Sequence, residues 1–419
     1  MAGKWKKFQL GQLGSVVTGR TPPGTLPEYF GDAVPFVTPT DMDGRRKVRE
    51  TARSLSVQGS EVLKRVIVQR GVAVSCIGWQ MGKAVLIDRP AATNQQINTL
   101  VPDPDLADDL FVYYSLTSER NAIFRLGAGG SRTPILNKSG FEAFEITLPP
   151  LAEQKAIAAV LGSLDDKIEL NRRMNATLEA MARALFQSWF VDFDPVRAKL
   201  DGRKPTGLDD ATAALFPEHL EDTPLGHIPT GWKAGSVAEG FTLTMGQSPP
   251  GDTYNEEGNG LPFYQGRTDF GFRFPTRRIY CTAPTRYAKP GDTLVSVRAP
   301  VGDINMANEE CCIGRGVAAV RHKSGATSFT YHSMANLYPD FARFEAEGTV
   351  FGSINKDGFE KLPFVISPPE IIAAYERQAG PLDEQIRILE NQSRTLATLR
   401  DTLLPKLLSG ELSITGETK

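Results

Sequence analysis

Cysteine and histidine are both scarce in this sequence, with four of each among 419 residues. The cysteines include the adjacent pair Cys311 and Cys312 but no C-x-x-C spacing, which excludes a disulfide-rich scaffold and the common zinc motifs. No histidine stands at ligand spacing from a cysteine or a carboxylate, so we predict no metal site. Reduced thiols in a cytoplasmic protein are the simplest interpretation.

Long apolar runs are also missing. No segment approaches the roughly 20 apolar residues that a membrane-spanning helix requires. The N-terminal sequence MAGKWKKFQLGQLGS lacks the apolar core of a signal peptide. The hydrophobic content of 41% is nevertheless enough for globular cores, and the length predicts about two to four domains.

The common catalytic motifs are absent as well. The run from Gly78 to Ala84 comes nearest to a phosphate-binding loop, but it is one residue short and has no hydroxyl after its lysine. No Pro-Pro pair belongs to the Asn/Asp-Pro-Pro-aromatic tetrapeptide of amino-methyltransferases, and no G-x-G-x-x-G follows a strand-like segment. An enzyme is therefore the weaker interpretation, and we predict no catalytic residue and no cofactor on this chain.

A general excess of positive charge is lacking too, since the net charge is −2. Basic residues are instead concentrated in the segment GRRKVRETAR at 44–53 and in a second cluster with Arg273, Arg277, Arg278 and Arg286. A run of charges is most often a solvated surface. Two clusters in corresponding halves of the chain favour contacts with phosphate groups.

Two long segments with helical periodicity dominate what is present. In residues 149–189, and again 218 residues later, apolar or small residues recur at alternating steps of four and three, which is typical of helices that pack against another helix. We expect Gly162-Ser163 and Gly380-Pro381 to separate a short lead helix from long helices near 164–190 and 381–408, with Ser163 and Asp166 as a capping box. The predicted seam comprises Ile157, Leu161, Leu164, Ile168, Asn171, Asn175, Leu178, Ala182, Leu185 and Trp189 in the first copy, and Tyr375, Ala379, Leu382, Ile386, Leu389, Ser393, Leu396, Arg400, Leu403 and Leu407 in the second.

The repeat extends beyond the helices. Pro35-Phe36 aligns with Pro262-Phe263 at an offset of 227, and Asn137-Lys138 aligns with Asn355-Lys356 at an offset of 218. Repetition in the same order across both halves indicates an internal duplication followed by loop deletions.

Each half begins with β-type runs between Gly and Pro residues and ends with a long helical segment. We therefore predict an α+β fold with two mostly β domains and two long antiparallel coiled-coil helices in a pseudo-two-fold repeat. The predicted limits are 1–148 for the first domain, 149–191 for the first helix, 192–224 for a connector, 225–367 for the second domain, 368–412 for the second helix and 413–419 for a tail.

Loops of the two β-rich domains carry donors that suit phosphate groups and base edges. Glycine-rich loops at 129–133 and 348–353 lie at equivalent places, directly before the two Asn-Lys pairs, and glycine permits close approach of the backbone to a ligand. The candidate DNA-binding residues are Arg45, Arg46, Lys47, Arg49, Ser131, Arg132, Thr133, Gln265, Arg267, Thr268, Arg277, Arg278, Arg298 and Ser353.

The helical segments resemble conserved regions of a known protein family. LPPLAEQKAIAAVLGSLDDKIELNRRMNATLEAMARALFQSWFVDFDPV is similar to the central conserved region of specificity subunits of type I restriction-modification systems. The C-terminal segment from SPPEIIAAYERQAGPLDEQ to LLSGEL is similar to their distal conserved region, although it lacks the P-P-x-x-E-Q motif of the first copy. The resemblance covers essentially the whole chain.

This resemblance implies a non-catalytic subunit in the cytoplasm of a prokaryote, with two target-recognition domains that each read half of a split sequence in double-stranded DNA. It implies that the seam residues space these domains and dock two methyltransferase (modification) subunits, to which two restriction subunits can add. S-adenosylmethionine, ATP and magnesium would belong to those partners. The different basic segments of the two domains predict a non-palindromic target.

The residues themselves leave alternatives open. A coiled-coil scaffold whose β-rich domains bind protein partners would show no salt-dependent affinity for DNA. An enzyme with an unfamiliar site, such as a nuclease, would act on DNA unaided. Asn171 and Asn175 either fix the register of the helix pair or face a docked partner subunit.

Overall fold

The computed structural model describes residues 5–23, 26–128, 134–346 and 352–414. The chain divides into two compact units, one formed by residues 1–170 and 393–419 and the other by residues 171–392. Each unit contains a β-rich domain and part of each long helix, as the α+β prediction requires.

The first unit is built on two four-stranded sheets. Its strands are β1 (Lys6–Gln9), β2 (Gly14–Thr18), β3 (Phe30–Gly31), β4 (Val34–Val37), β5 (Arg53–Leu55), β6 (Gly71–Ser75), β7 (Ala84–Ile87), β8 (Ala92–Thr93), β9 (Ile97–Pro102) and β10 (Glu145–Leu148). The sheet orders are β2-β9-β6-β7 and β3-β5-β4-β8, with β4 parallel to β8. Strand β1 pairs with β10 in an additional antiparallel ribbon.

The short helices of the first unit are α1 (Val57–Leu63), α2 (Asp109–Ser118), α3 (Arg120–Gly127) and α4 (Lys138–Glu142). Polar side chains cap the N-termini of α2 and α4: Asp108 accepts hydrogen bonds from backbone N–H groups of α2, and Asn137 accepts one from Gly140 in α4. Residues 111–116 of α2 are buried, so this helix belongs to the core. The long helix α5 (Leu151–Phe190) starts in the first unit and continues into the second.

The second unit repeats this arrangement. Its short helices are α6 (Asp194–Leu200), α7 (Asp210–Ala214), α8 (Val237–Gly240), α9 (Thr327–Asn336), α10 (Tyr338–Ala346) and α11 (Lys356–Glu360). Its strands are β11 (Leu220–Thr223), β12 (Gly226–Pro229), β13 (Lys233–Ser236), β14 (Phe241–Met245), β15 (Tyr254–Asn255), β16 (Leu261–Tyr264), β17 (Tyr280–Cys281), β18 (Tyr287–Ala288), β19 (Thr293–Ser296), β20 (Ile304–Met306), β21 (Cys311–Ile313), β22 (Val317–His322) and β23 (Pro363–Ile366). The second long helix is α12 (Pro369–Leu408).

The sheet orders confirm the internal duplication. In the second unit they are β14-β22-β19-β20 and β15-β17-β16-β21-β18, and β13 pairs with β23. The first of these matches β2-β9-β6-β7 strand for strand, and the parallel pair β16–β21 matches β4–β8. Strand β18 and the hairpin β11–β12 are additions to the second unit.

The predicted helix breaks are wrong, because α5 and α12 are continuous over 40 residues each, about 60 Å at 1.5 Å per residue. Gly162 is buried inside α5, where a Cβ atom would lie 2.9 Å from Leu110 Cδ2. The glycine therefore allows α2 to approach α5 closely. Ser163 does not cap a helix, since its hydroxyl donates to the Val160 carbonyl one turn earlier.

The two long helices run antiparallel within each unit. In the first unit, Asp165 of α5 contacts Arg400 of α12. In the second unit, Asn171 contacts Gln392, and the Tyr375 hydroxyl donates to the Ala182 carbonyl farther along α5. Rising residue numbers in α5 therefore correspond to falling numbers in α12.

Each unit buries the helix seam in its own hydrophobic core. In the first unit, Ile157, Leu161 and Leu407 join the core beneath α2. In the second unit, Trp189 and Tyr375 join an aromatic core with ring centroids 6.1 Å apart. The four cysteines are free and buried.

Candidate nucleic-acid interface and helix pair

Three of the predicted basic residues in the first domain, the exposed Arg45 and Arg49 and the half-buried Lys47, carry an acidic partner in the same unit. Such partly solvated pairs are weak, and phosphate groups can compete for the cation. The pairs are Arg45–Asp43 at 3.0 Å, Lys47–Asp88 at 2.6 Å and Arg49–Glu169 at 3.5 Å.

Arg46 differs from its neighbours because its side chain is only 12% exposed. Its guanidinium donates to the Gly162 carbonyl at 3.1 Å and pairs with Asp166, both in α5. The structure therefore places Arg46 between the β-rich domain and the long helix, whereas the sequence predicts a cation that is free to contact DNA.

Five of the predicted residues of the second domain lie in the segment of the chain between β16 and β19. Gln265 and Thr268 are exposed, and the backbone N–H of Gln265 donates to Asp269 at 2.9 Å. The basic residues again carry acidic partners, and the bond to Glu309 raises the pKa of Arg277. The pairs are Arg267–Asp303 at 2.8 Å, Arg277–Glu309 at 2.6 Å and Arg278–Asp269 at 2.7 Å.

Arg298 and Ser353 form a separate site in the second domain. They are both exposed and face each other across an isolated antiparallel β-bridge. No partner of the Arg298 guanidinium is found among the residues that the structure describes. Ser131, Arg132 and Thr133, the predicted counterparts in the first domain, lie outside the described residues.

Sequence reasoning missed the role of Arg273, which is fully buried. Its guanidinium pairs with Asp383 of α12 and Glu179 of α5, and it lies 3.9 Å from the ring centroid of Tyr331. Arg46 and Arg273 are separated by 227 residues, the same offset that relates Pro35 to Pro262. The repeat itself was therefore a signal that these two arginines do the same thing, namely hold a β-rich domain on a long helix.

The predicted seam residues lie on the least exposed face of the helix pair. Leu164, Leu178, Leu185, Leu382, Leu396 and Leu403 are half-buried, and the other apolar members of the seam are buried. Apolar residues on other faces remain exposed, and these are Leu170, Met174 and Met181 in α5 and Ile388 and Leu399 in α12.

Asn171 and Asn175 are both buried in the seam. The Asn171 side-chain amide donates to Gln392 Oε1 at 2.9 Å and to the Leu389 carbonyl at 3.4 Å. Because these partners belong to the opposite helix, Asn171 contributes to the register of the pair.

The buried histidine His332 lies close to this helix pair in the second unit. Its ring is 6.1 Å from that of Phe186, and neither ring nitrogen has a hydrogen-bond partner among the described residues. Burial lowers the pKa of His332 to about 4, although Asp383 acts in the opposite direction.

Within the part of the chain that the structure describes, no cluster of His, Cys, Asp or Glu has the arrangement of a metal site. In the same residues, no helix combines the length and apolarity needed to cross a bilayer.

Comparison with known proteins shows what the chain is similar to. Residues 2–180 match the family model of the type I restriction modification DNA specificity domain. The chain is 23% identical to the type I restriction enzyme MjaIX specificity subunit of Methanocaldococcus jannaschii, an alignment that covers 98% of this chain and 94% of that protein. It is 22% identical to the HindI specificity subunit of Haemophilus influenzae, covering 97% and 99%.

A solved structure has the same fold. The crystal structure of the S subunit of a type I restriction-modification system from M. genitalium aligns with a TM-score of 0.58 and 18% identity, covering 97% of this chain and 96% of that one. The relatives thus extend over both units, beyond the region of the family model. Over both of its units, the chain is therefore similar to specificity subunits of type I restriction-modification systems.

Proposed function

We propose that this chain is the non-catalytic DNA-recognition subunit of a type I restriction-modification complex, and that each β-rich domain reads one half of a bipartite, asymmetric target. The observation that carries the proposal is the repeated sheet order on which the two domains present different exposed side chains. Equivalent scaffolds with different surface residues fit a target whose two halves differ. The match of residues 2–180 to a DNA specificity domain supports the same function.

In this proposal the recognition domains comprise residues 1–148 and 225–367. The spacer segments are 149–191 and 368–412, with a connector at 192–224 and a tail at 413–419. The helix pair sets the distance between the half-sites, because helices bound to each other along their length resist compression better than a loop.

The first contacts with DNA would be made by basic residues that are exposed or, for Lys47, half-buried: Arg45, Lys47, Arg49, Arg267, Arg277 and Arg278. Each cation would exchange its acidic partner for a phosphate group, which binds cations strongly. Neutralisation of the phosphates would release counterions from the duplex. Arg46 would instead hold the first domain on α5. Ser131, Arg132 and Thr133 remain candidates for base contacts.

The partners of the helices would be two modification subunits, with restriction subunits added in the full complex. The buried seam is occupied by the intramolecular helix pair, so docking would use the outward residues Met174, Met181 and Ile388. Exposed methionines suit such a surface because their flexible side chains adapt to a partner. S-adenosylmethionine, ATP and magnesium would be bound by the partners, in the cytoplasm of a prokaryotic cell.

The test is DNA binding by the chain in complex with its modification subunit. Mapping of methylated adenines in the host would define both half-sites. Binding is then measured at two salt concentrations for the target and for duplexes with either half-site scrambled. We expect a preference of about a thousandfold or more for the intact target, with affinity that falls as salt rises. Negligible, salt-independent affinity would favour a protein-binding scaffold, and cleavage or methylation by the chain alone would favour an enzyme.

A further inference from the structure

Two isolated β-bridges occupy the same place in the two domains. One joins Ile77 to Ile135 in the first unit, and the other joins Arg298 to Ser353 in the second. Ile77 and Arg298 each follow the equivalent strands β6 and β19 by two residues. Ile135 and Ser353 each precede the equivalent helices α4 and α11 by three residues. The repeat therefore makes these two bridges counterparts.

The first bridge supports an exposed apolar surface. Trp79 is 82% exposed and Ile135 is 56% exposed. The Trp79 ring stacks on Phe124 of α3, with centroids 5.8 Å apart. Because exposure of so much apolar area to water is unfavourable, a ligand that covers the Trp79 ring would gain free energy.

The backbone around Trp79 is held in place by hydrogen bonds. The Gly78 N–H donates to the Pro134 carbonyl at 2.8 Å, and the Met81 N–H donates to the Gly78 carbonyl at 3.1 Å. Gly78 adopts a φ of 63°, a conformation that favours glycine, so the tight turn that presents Trp79 depends on this residue. The Trp79 side chain therefore projects from a loop whose backbone is fixed by hydrogen bonds.

Positive charge flanks the apolar surface. Arg120 and Arg125 of α3 are both exposed. Arg120 lies against the same loop, since a Cβ atom on Gly82 would be 2.8 Å from Arg120 Cγ. An apolar ring beside two cations suits a ligand with an apolar group and neighbouring anions, which is what the major groove of DNA offers at a thymine methyl group and its phosphates.

The second bridge has the opposite chemistry on equivalent backbone. Here the exposed side chains are Arg298 and Ser353, and the bridge is held by N–H donation from Ala299 to Gly352 at 3.0 Å and from Ile354 to Val297 at 3.1 Å. An arginine can donate two hydrogen bonds to the O6 and N7 atoms of guanine. The change from an apolar pair to an arginine–serine pair is the kind of difference that two unlike half-sites require.

We infer that the paired bridges are base-reading positions: Trp79 and Ile135 contact a thymine methyl group in one half-site, and Arg298 contacts a guanine in the other. This inference rests on the proposed function and specifies the residues that distinguish the half-sites. It places recognition directly after the equivalent strands β6 and β19.

The test uses the complex with the modification subunit and compares four variants. Trp79→Ala and Ile135→Ser change the first bridge, and Arg298→Ala and Arg298→Lys change the second. Val57→Ser is the matched control for loss of an exposed apolar side chain, as Val57 is 73% exposed on α1. Arg203→Ala is the matched control for loss of an exposed cation.

For each variant, methylation rates are measured on the mapped target and on duplexes with single base changes in either half-site, including deoxyuridine in place of thymidine. We expect Trp79→Ala and Ile135→Ser to relax discrimination about tenfold at one thymine of one half-site only. Arg298→Ala and Arg298→Lys should relax it about tenfold or more at one guanine of the other half-site, and the lysine variant should keep the salt dependence. Both controls should behave as the unmodified complex.

The possible results distinguish failure of the base-reading positions from failure of the proposed function. Unchanged base preferences in the bridge variants would overturn the inference while the proposed function stands. Weaker binding of the modification subunit by Trp79→Ala, with both half-sites read normally, would assign Trp79 to a protein contact and also overturn it. Absence of sequence-specific methylation by the unmodified complex would refute the proposed function itself.

Discussion

Asp165 and Arg400 lie 2.6 Å apart between a carboxylate oxygen and a guanidinium nitrogen, although 235 residues separate them in the chain. The same carboxylate accepts a hydrogen bond from the Tyr114 hydroxyl at 2.6 Å. Burial, with Asp165 nearby, raises the pKa of Tyr114, so the hydroxyl stays protonated and remains a donor. One carboxylate thus joins α2, α5 and α12 within the first unit.

Replacement of Arg400 by methionine should therefore destabilise the first unit. The Asp165 side chain is 10% exposed, and removal of its cation would leave a nearly buried carboxylate without charge compensation. We expect a loss of about 2–3 kcal/mol in the free energy of unfolding, below the range for fully buried pairs because Arg400 is 28% exposed. Chemical denaturation of Arg400→Met, Asp165→Asn and the double variant would measure the coupling. Additive effects of the two substitutions would contradict it.

Replacement of Arg273 should have a larger effect on the second unit. Arg273→Met leaves the carboxylates of Asp383 and Glu179 without their shared cation, and we expect a loss of about 3–5 kcal/mol. Arg277→Met is the control, because the exposed Arg277–Glu309 pair should contribute less than about 1 kcal/mol. Hydrogen exchange should show faster opening of α9 in Arg273→Met alone. Equal losses of stability from the two substitutions would argue against the role of Arg273 in holding the β-rich domain on the long helices.

The buried imidazole of His332 predicts a dependence of stability on pH. Its pKa is about 4 in the folded protein and about 6.5 in the unfolded chain, so the unfolded state takes up the proton first as the pH falls. Stability should decrease between pH 6.5 and pH 4, by up to about 3 kcal/mol from this group. The groups that face it are Asp383, which opposes the shift, and Arg273 and Arg183, which reinforce it.

The measurement is the unfolding free energy as a function of pH for the wild type and His332→Gln. The variant should lose most of the slope in this window, apart from a smaller part due to His322, whose pKa burial also lowers. His227→Gln is the control, because His227 is 69% exposed. A slope that survives in His332→Gln would show that other groups dominate.

The helix pair predicts the spacing of the target, if the proposed function holds. Removal of residues 172–178 from α5 together with 384–390 from α12 retains the Asn171–Gln392 contact and the carboxylates that bind Arg273. Seven residues correspond to about 10 Å of helix, or about three base pairs. Methylation mapping should return the same half-sites with a gap shorter by that amount.

A deletion confined to one helix is the control for this experiment. It would leave the antiparallel partners out of register and should destabilise the chain without a defined new spacing. If the double deletion kept the original distance between the half-sites, the proposal that the helix pair sets this distance would be refuted.

The sequence alone determined the fold class and the duplicated organisation of the protein. Periodicity in two segments 218 residues apart predicted two long helices, and matched motifs such as Pro35-Phe36 and Pro262-Phe263 predicted two similar domains. These features are visible without coordinates because helical and repeat periodicity are properties of residue order. They also carried the resemblance that the comparisons support.

Tertiary structure decided what individual residues do. A glycine costs a helix only about 1 kcal/mol, so packing of Leu110 against Gly162 outweighs the predicted break. The sequence predicts phosphate contacts for Arg46 and Arg273 because positive charge in a sequence does not reveal its partner. Their partners lie more than ninety positions away, on α5 and α12. Nothing in the sequence distinguishes Trp79 from other apolar residues, whereas the fold leaves its side chain exposed. Exposure and partnership depend on contacts between distant segments, and only the folded chain brings those segments together.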